Sequence, residues 1–197
     1  PPPKAKPRRV KHVSRFVPPQ LANLVDEPPV GEGWAHEIKI DGYRLELQVT
    51  GGDATLYTRK GLDWTEKFGR IADAASALPD CLVDGEVAAL NQDGVLTFGA
   101  LQDALSQGDE SNMVFFAFDL LFDGRKDLRR QPLSERKARL KELLEEAGLG
   151  GSSIVQYVDH FANDGKAVLE SACEMGLEGM VSKRLDEPYD AGRVGGW

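Results

Sequence analysis

Between Trp34 and Val49 apolar and polar residues alternate with a single interruption, and this pattern restricts the fold more than any other stretch of the chain. Trp34, His36, Ile38 and Ile40 fall on one side of an extended backbone, with Ala35, Glu37 and Lys39 on the other. Asp41-Gly42 breaks the strand; Tyr43, Leu45, Leu47 and Val49 then alternate with Arg44, Glu46 and Gln48. The result is strand, turn, strand, with no room for a helical crossover.

The same reading extends along the chain. ATLYTRKG is a strand, followed by a helix whose predicted N-cap is Thr65, whose stripe is Phe68, Ile71, Ala72 and Ala75, and which Pro79 closes. LVDGEVAAL is a strand and TFGALQDALS a short helix. MVFFAFDLLF is too short to span a membrane and suits a strand buried on both faces. PLSERKARLKELLEEAG is the clearest helix, with Ser134 placed to cap it and Gly148 to end it. SIVQYVDHF is a strand, a helix runs from about Asn163 to Met175, and LEGMVSKR is one more strand. Strands are joined by turns as often as by helices, so the expected class is α+β with largely antiparallel sheets flanked by helices.

Charge is unevenly spread. The first 25 residues carry +6, from Lys4, Lys6, Arg8, Arg9, Lys11 and Arg15, against a net −8 for all 197. Residues 1–16, basic and proline-rich, read as a linker or arm ahead of one domain over 17–197. The acidic remainder can hold phosphates with a few aimed cations but cannot grip DNA strongly by charge alone. No segment has the length of a membrane span or the form of a secretion signal, so the expected location is cytoplasmic. Cys81 and Cys173 read as buried small hydrophobes.

Lys39 is the candidate nucleophile, and on alternation alone it reads as a strand-edge lysine in surface ion pairs. An exposed lysine, with a pKa near roughly 10.4, is almost wholly protonated at neutral pH and has no lone pair for attack. Glu37 and Asp41, two residues to either side, oppose activation unless a metal or a ligand amino group engages them. That tension points to a metal-dependent site.

KIDGYR, residues 39–44, resembles the lysine, any residue, aspartate, glycine, any residue, arginine signature of the covalent nucleotidyltransferases, which are the DNA ligases, RNA ligases and mRNA capping enzymes. YTRKGLDWT, LVDGEV, FAFDLLFDG and LEGMVSK follow in that family's order. The resemblance implies the covalent nucleotidyltransferase fold and attack by Lys39 on the α-phosphate of ATP, giving lysyl-AMP and expelling pyrophosphate. It assigns Arg44, Arg59 and Lys183 to the phosphates, and Glu37 with the backbone of Ile38 to the adenine amino group. Phe118 would stack on the base with Val181 beneath it, Glu86 would lie near the ribose, and Asp41 and Glu178 would hold Mg²⁺ or Mn²⁺.

FVPPQLANLVDEPPVGEGWAHEIKIDGYR and TRKGLDWTEKF resemble bacterial ATP-dependent DNA ligases, particularly the ligase domain of the multifunctional ligase D proteins of double-strand-break end joining. An RNA ligase or an mRNA-capping-type enzyme is the alternative. The resemblance implies a nicked or broken duplex as DNA partner, nucleoid association, and upstream polymerase or phosphoesterase modules. The family continues past the aromatic that matches Trp197 into a lysine-bearing strand and an OB-fold domain, which these residues lack. A catalytic fragment of this kind is expected to self-adenylate slowly and to leave nicks unsealed.

Overall fold

A computed structural model describes residues 16–152, 154–162, 164–193 and 196–197, together with the backbone of residues 8 and 9. The expected arm over 1–16 lies outside this range except for that backbone and residue 16. Asn163, the predicted start of the last helix, also lies outside it.

The strands are β1 (Arg8–Arg9), β2 (Gln20–Leu21), β3 (Trp34–Ile38), β4 (Tyr43–Thr50), β5 (Asp53–Thr58), β6 (Cys81–Ala89), β7 (Met113–Asp123), β8 (Lys126–Asp127), β9 (Val155–Tyr157), β10 (Met180–Arg184) and β11 (Gly192–Arg193). The helices are α1 (Gly69–Ala75), α2 (Phe98–Gln107), α3 (Leu133–Glu146) and α4 (Gly165–Glu174), with a 3-10 turn at Thr65–Lys67. A seven-stranded sheet runs β1-β8-β7-β6-β4-β5, antiparallel throughout that path, and β9 adds to β7 in parallel. A separate antiparallel ribbon pairs β3 with β10, and β2 pairs in parallel with β11. The class is α+β, as the alternation required.

Apolar residues fill both faces of the large sheet. On one face Leu45, Leu47, Val49, Val83, Phe115 and Leu120 pack with Phe68, Ile71 and Leu101 and with Leu140 and Leu144 of α3. On the other, Leu82, Phe118, Leu121 and Phe122 pack with Val17, Val158, Tyr189 and Trp197. β7 is therefore buried on both sides, as its apolar run, interrupted at Asp119, indicates.

The structure corrects several expectations. Arg44, Glu46 and Gln48 share the polar side of β4, yet Glu46 and Gln48 are buried, Glu46 accepting from the Val17 amide. On this face Arg44 is paired with Asp84, while burial favours the neutral form of Glu46. Thr65 does not cap α1, whose N-cap is Phe68; its hydroxyl bonds Asp63 and accepts from the Leu56 amide. Ser134 lies inside α3, behind an N-cap at Pro132, while Gly148 follows the helix end with φ 75°. α1 ends at Ala75, before Pro79. Cys81 is buried as expected, but Cys173 is exposed on α4.

Candidate active site

A cavity of about 230 Å³ opens where the β3–β10 ribbon meets the large sheet. Glu37, Ile38, Lys39, Asp41, Arg44, Glu86, Phe118, Val181 and Lys183 all line it, with Ala22, Ile40, Gly42, Val158 and Trp197. These residues come from β3, the turn after it, β4, β6, β7 and β10, with Ala22, Val158 and Trp197 from connecting segments. Arg59 does not line it and is exposed in the turn after β5. Glu178, in the loop before β10, reaches the site through an ion pair with Lys39.

Lys39 stands one residue beyond β3, its amide donating to the Gly179 carbonyl at 3.0 Å. That bond places the amine beside the loop bearing Glu178, and both side chains remain partly exposed. Asp41 and Gly42 then turn the chain into β4. A Cβ on Gly42 would fall within the Val87 carbonyl oxygen, so the turn can press against β6 only with glycine there. The Asp41 carboxylate accepts from the Phe98 amide at 3.3 Å.

Arg44 lies opposite Glu86 in the β4–β6 ladder. Its guanidinium forms a bidentate pair with Asp84, Nε to Oδ1 at 2.7 Å and Nη2 to Oδ2 at 2.6 Å. Burial opposes that charge, but Asp84 holds the Arg44 pKa above its ordinary value. Tyr189 donates its hydroxyl to the same Asp84 at 2.6 Å. Burial pushes the Glu86 carboxyl up to about 7, although Arg44 and Lys39 pull it down.

Glu37, read from alternation as sharing a face with Lys39, is turned into the interior and is 3% exposed. Its Oε1 accepts from Lys137 Nζ at 2.6 Å and its Oε2 pairs with Lys183 Nζ at 2.6 Å. Lys183 Nζ also sits 4.1 Å from the ring centroids of both Phe118 and Trp197. Arg44 approaches the Phe118 ring at 4.6 Å. The aromatic surface is thus dressed with cations, an arrangement that attracts anions to its edge.

Sequence reasoning missed Lys137, Asp84 and Tyr189. Lys137 and its neighbour Arg136 look solvated within SERKARLK, yet both are 1% exposed. Their signal was positional: three and four residues after Leu133 and before Leu140, they fall on the buried stripe of α3. Arg136 is held by Asp119 through two bonds of 2.8 Å.

Asp41, two residues after Lys39, and Glu178, its ion-pair partner, carry oxygen donors, a type that suits a hard divalent cation. No group of three or more histidine, cysteine, aspartate or glutamate residues among the described residues could hold a metal ion. Such a cation would take most of its ligands from phosphate and water, as magnesium at nucleotides commonly does.

The chain is 39% identical over 184 residues to the multifunctional non-homologous end joining protein LigD of Pseudomonas aeruginosa, covering 92% of this chain and 21% of that protein. It is 32% identical over 178 residues to the SPbeta prophage-derived DNA ligase-like protein LigB of Bacillus subtilis, covering 89% and 63%. The chain therefore spans about a fifth of the first relative's length and under two thirds of the second's. A solved mycobacterial DNA ligase D, complexed with ATP and MES, superposes with a TM-score of 0.71 at 30% identity, over 90% of this chain and 57% of that one. The family model for the ATP dependent DNA ligase domain matches residues 19–197, and the chain belongs to that family.

Proposed function

We propose that residues 17–197 form the adenylating unit of a DNA ligase, acting in bacterial double-strand-break repair by end joining. The observation that carries this reading is the convergence of Lys39, Arg44, Glu86, Phe118 and Lys183, far apart in sequence, on one cavity. A sheet built for packing alone has no need to aim so many charges at one space.

Lys39 Nζ attacks the α-phosphorus of ATP. The P–N bond forms as the bond to the bridging oxygen breaks, pyrophosphate carries away the electron pair, and the amine proton passes to solvent. An ammonium has no lone pair, so Lys39 must first part from Glu178 and lose its proton. Arg44, anchored by Asp84, and Lys183 place positive charge at the phosphate oxygens where charge accumulates. Glu37 and the Ile38 carbonyl accept from the adenine amino group, which a guanine cannot offer at that position. Phe118 and Val181 hold the base, and Glu86 faces the ribose. Asp41 and Glu178 would hold Mg²⁺ or Mn²⁺, which supplies charge neutralisation at the phosphates when bound. Arg59, exposed in the turn after β5, would serve phosphates only outside the cavity. No helix among the described residues is long and apolar enough to cross a membrane, and we place the work in the cytoplasm on nucleoid DNA.

Intact mass spectrometry after incubation with ATP and manganese tests the proposal. The wild-type chain should gain one AMP, Lys39→Ala should gain none, and GTP should give no adduct. An adduct that survives in Lys39→Ala moves the nucleophile elsewhere; equal labelling by GTP favours the capping class.

A further inference from the structure

We infer that Lys137 is a positioning residue for nucleotidyl transfer: it keeps Glu37 paired so that Lys183 can leave that carboxylate for the incoming phosphate. The inference rests on the reading of the site given above.

The two lysines on Glu37 are held differently. Lys137 Nζ donates to Glu37 Oε1 at 2.6 Å, to the Val158 carbonyl at 2.9 Å and, at the long limit, to the Phe118 carbonyl at 3.4 Å. Every ammonium proton has an acceptor, and the Tyr157 ring lies 4.8 Å away. Lys137 does not line the cavity. Arg136, the adjacent residue, is anchored to Asp119 and to the carbonyls of Gln131 and Glu187, which fixes this turn of α3.

Lys183 has one acceptor among the described residues, Glu37 Oε2, and otherwise meets the Phe118 and Trp197 rings. It does line the cavity. Burial, against the pull of Glu37 and with the help of Lys137, holds its ammonium below the ordinary lysine value. Two buried ammonium groups thus share the Glu37 carboxylate, so this pair of lysines has one anion between them and room for a second. A phosphate oxygen supplies that anion.

The asymmetry decides which lysine moves. When Lys183 turns to a phosphate, Glu37 stays compensated by Lys137 and remains a charged acceptor for the base. Without Lys137, Lys183 would become the sole counter-charge of a buried carboxylate, and withdrawing it would leave that carboxylate unpaired, a costly state. Lys137→Met removes the second cation but leaves a neutral Glu37–Lys183 pair, so it deletes the proposed role while keeping the interior charge-balanced.

The experiment compares wild type, Lys137→Met and Lys137→Arg for three quantities: the rate of AMP adduct formation against ATP concentration, the affinity for ATP by calorimetry, and the affinity for adenosine, which has no phosphate. Lys137→Met should lower adduct formation at limiting ATP by about 10- to 100-fold and weaken ATP binding, while adenosine affinity stays within about twofold. Lys137→Arg should recover most of the loss, since a cation again faces Glu37. Lys137→Gln replaces the methionine variant if thermal melting shows that one unfolded. The inference is overturned if the neutral variants bind ATP as wild type does, if they lose ATP and adenosine equally, or if arginine rescues nothing. Absence of any adduct in wild type would count against the function proposed above, and the ATP-to-adenosine comparison would still decide the role of Lys137.

Discussion

Glu46→Gln should stabilise the protein in alkaline solution and change little in mild acid. Glu46 lies on β4 directly opposite Asp84 of β6, and it is 3% exposed. One carboxylate oxygen accepts from the Val17 amide at 2.9 Å, and the other has no partner among the described residues. Burial first, and then the charge of Asp84, push its carboxyl from 4.5 up to about 8. Between those values the folded chain holds a proton that the unfolded chain has released, so stability falls as pH rises through the window. At about 1.4 kcal/mol for each pH unit, the cost of ionising this group in the fold has a ceiling of about 5 kcal/mol above pH 8. Side-chain rearrangement and entry of water reduce that to about 2 kcal/mol in practice. Glutamine keeps an acceptor for Val17 and cannot ionise. Urea unfolding followed by tryptophan fluorescence, from about pH 5 to about pH 9, reads the difference directly. The two proteins should coincide near pH 5 and diverge by about 2 kcal/mol near pH 9, the glutamine form being the more stable. A gap that does not vary with pH, or a wild type that is more stable at pH 9, would refute the reasoning.

Two further outcomes follow from packing around the site. Gly42→Ala forces a Cβ into the Val87 carbonyl and against Glu86 Cγ at 3.2 Å, so it should cost about 2–3 kcal/mol and lower the melting temperature by several degrees; a wild-type melting curve would contradict the close approach. Arg136→Met strands the Asp119 carboxylate, whose side chain like that of Arg136 is 0% exposed, and should cost about 3–5 kcal/mol in urea unfolding, whereas adding Asp119→Leu should recover part of that loss; a double variant no better than the single one would show that the charge pair is not the cause.

The fold was legible wherever one residue type decided local geometry. Asp41-Gly42 marked the turn between β3 and β4, Gly148 marked the end of α3, and the apolar run from Met113 announced a strand covered on both sides. Capping was misread at Thr65 and Ser134, because a hydroxyl near a helix start bonds whichever partner tertiary packing brings within reach. Cys173 was misplaced for a related reason: an apolar neighbourhood in sequence does not say which side of α4 faces solvent.

For the site, the resemblance of short ordered motifs to a known family named Lys39, Arg44, Glu86, Phe118, Val181 and Lys183 together, and these residues do line one cavity; strand periodicity alone singled out no such set. What it could not state was which charge answers which. Alternation put Glu37 beside Lys39, whereas the structure turns Glu37 inward to Lys137 of α3, 100 residues away, and the bond from the Lys39 amide to Gly179 gives Lys39 to Glu178 instead. Buried ions take their partners by distance through a low-dielectric interior, and that distance exists only once sheet and helices have closed on one another.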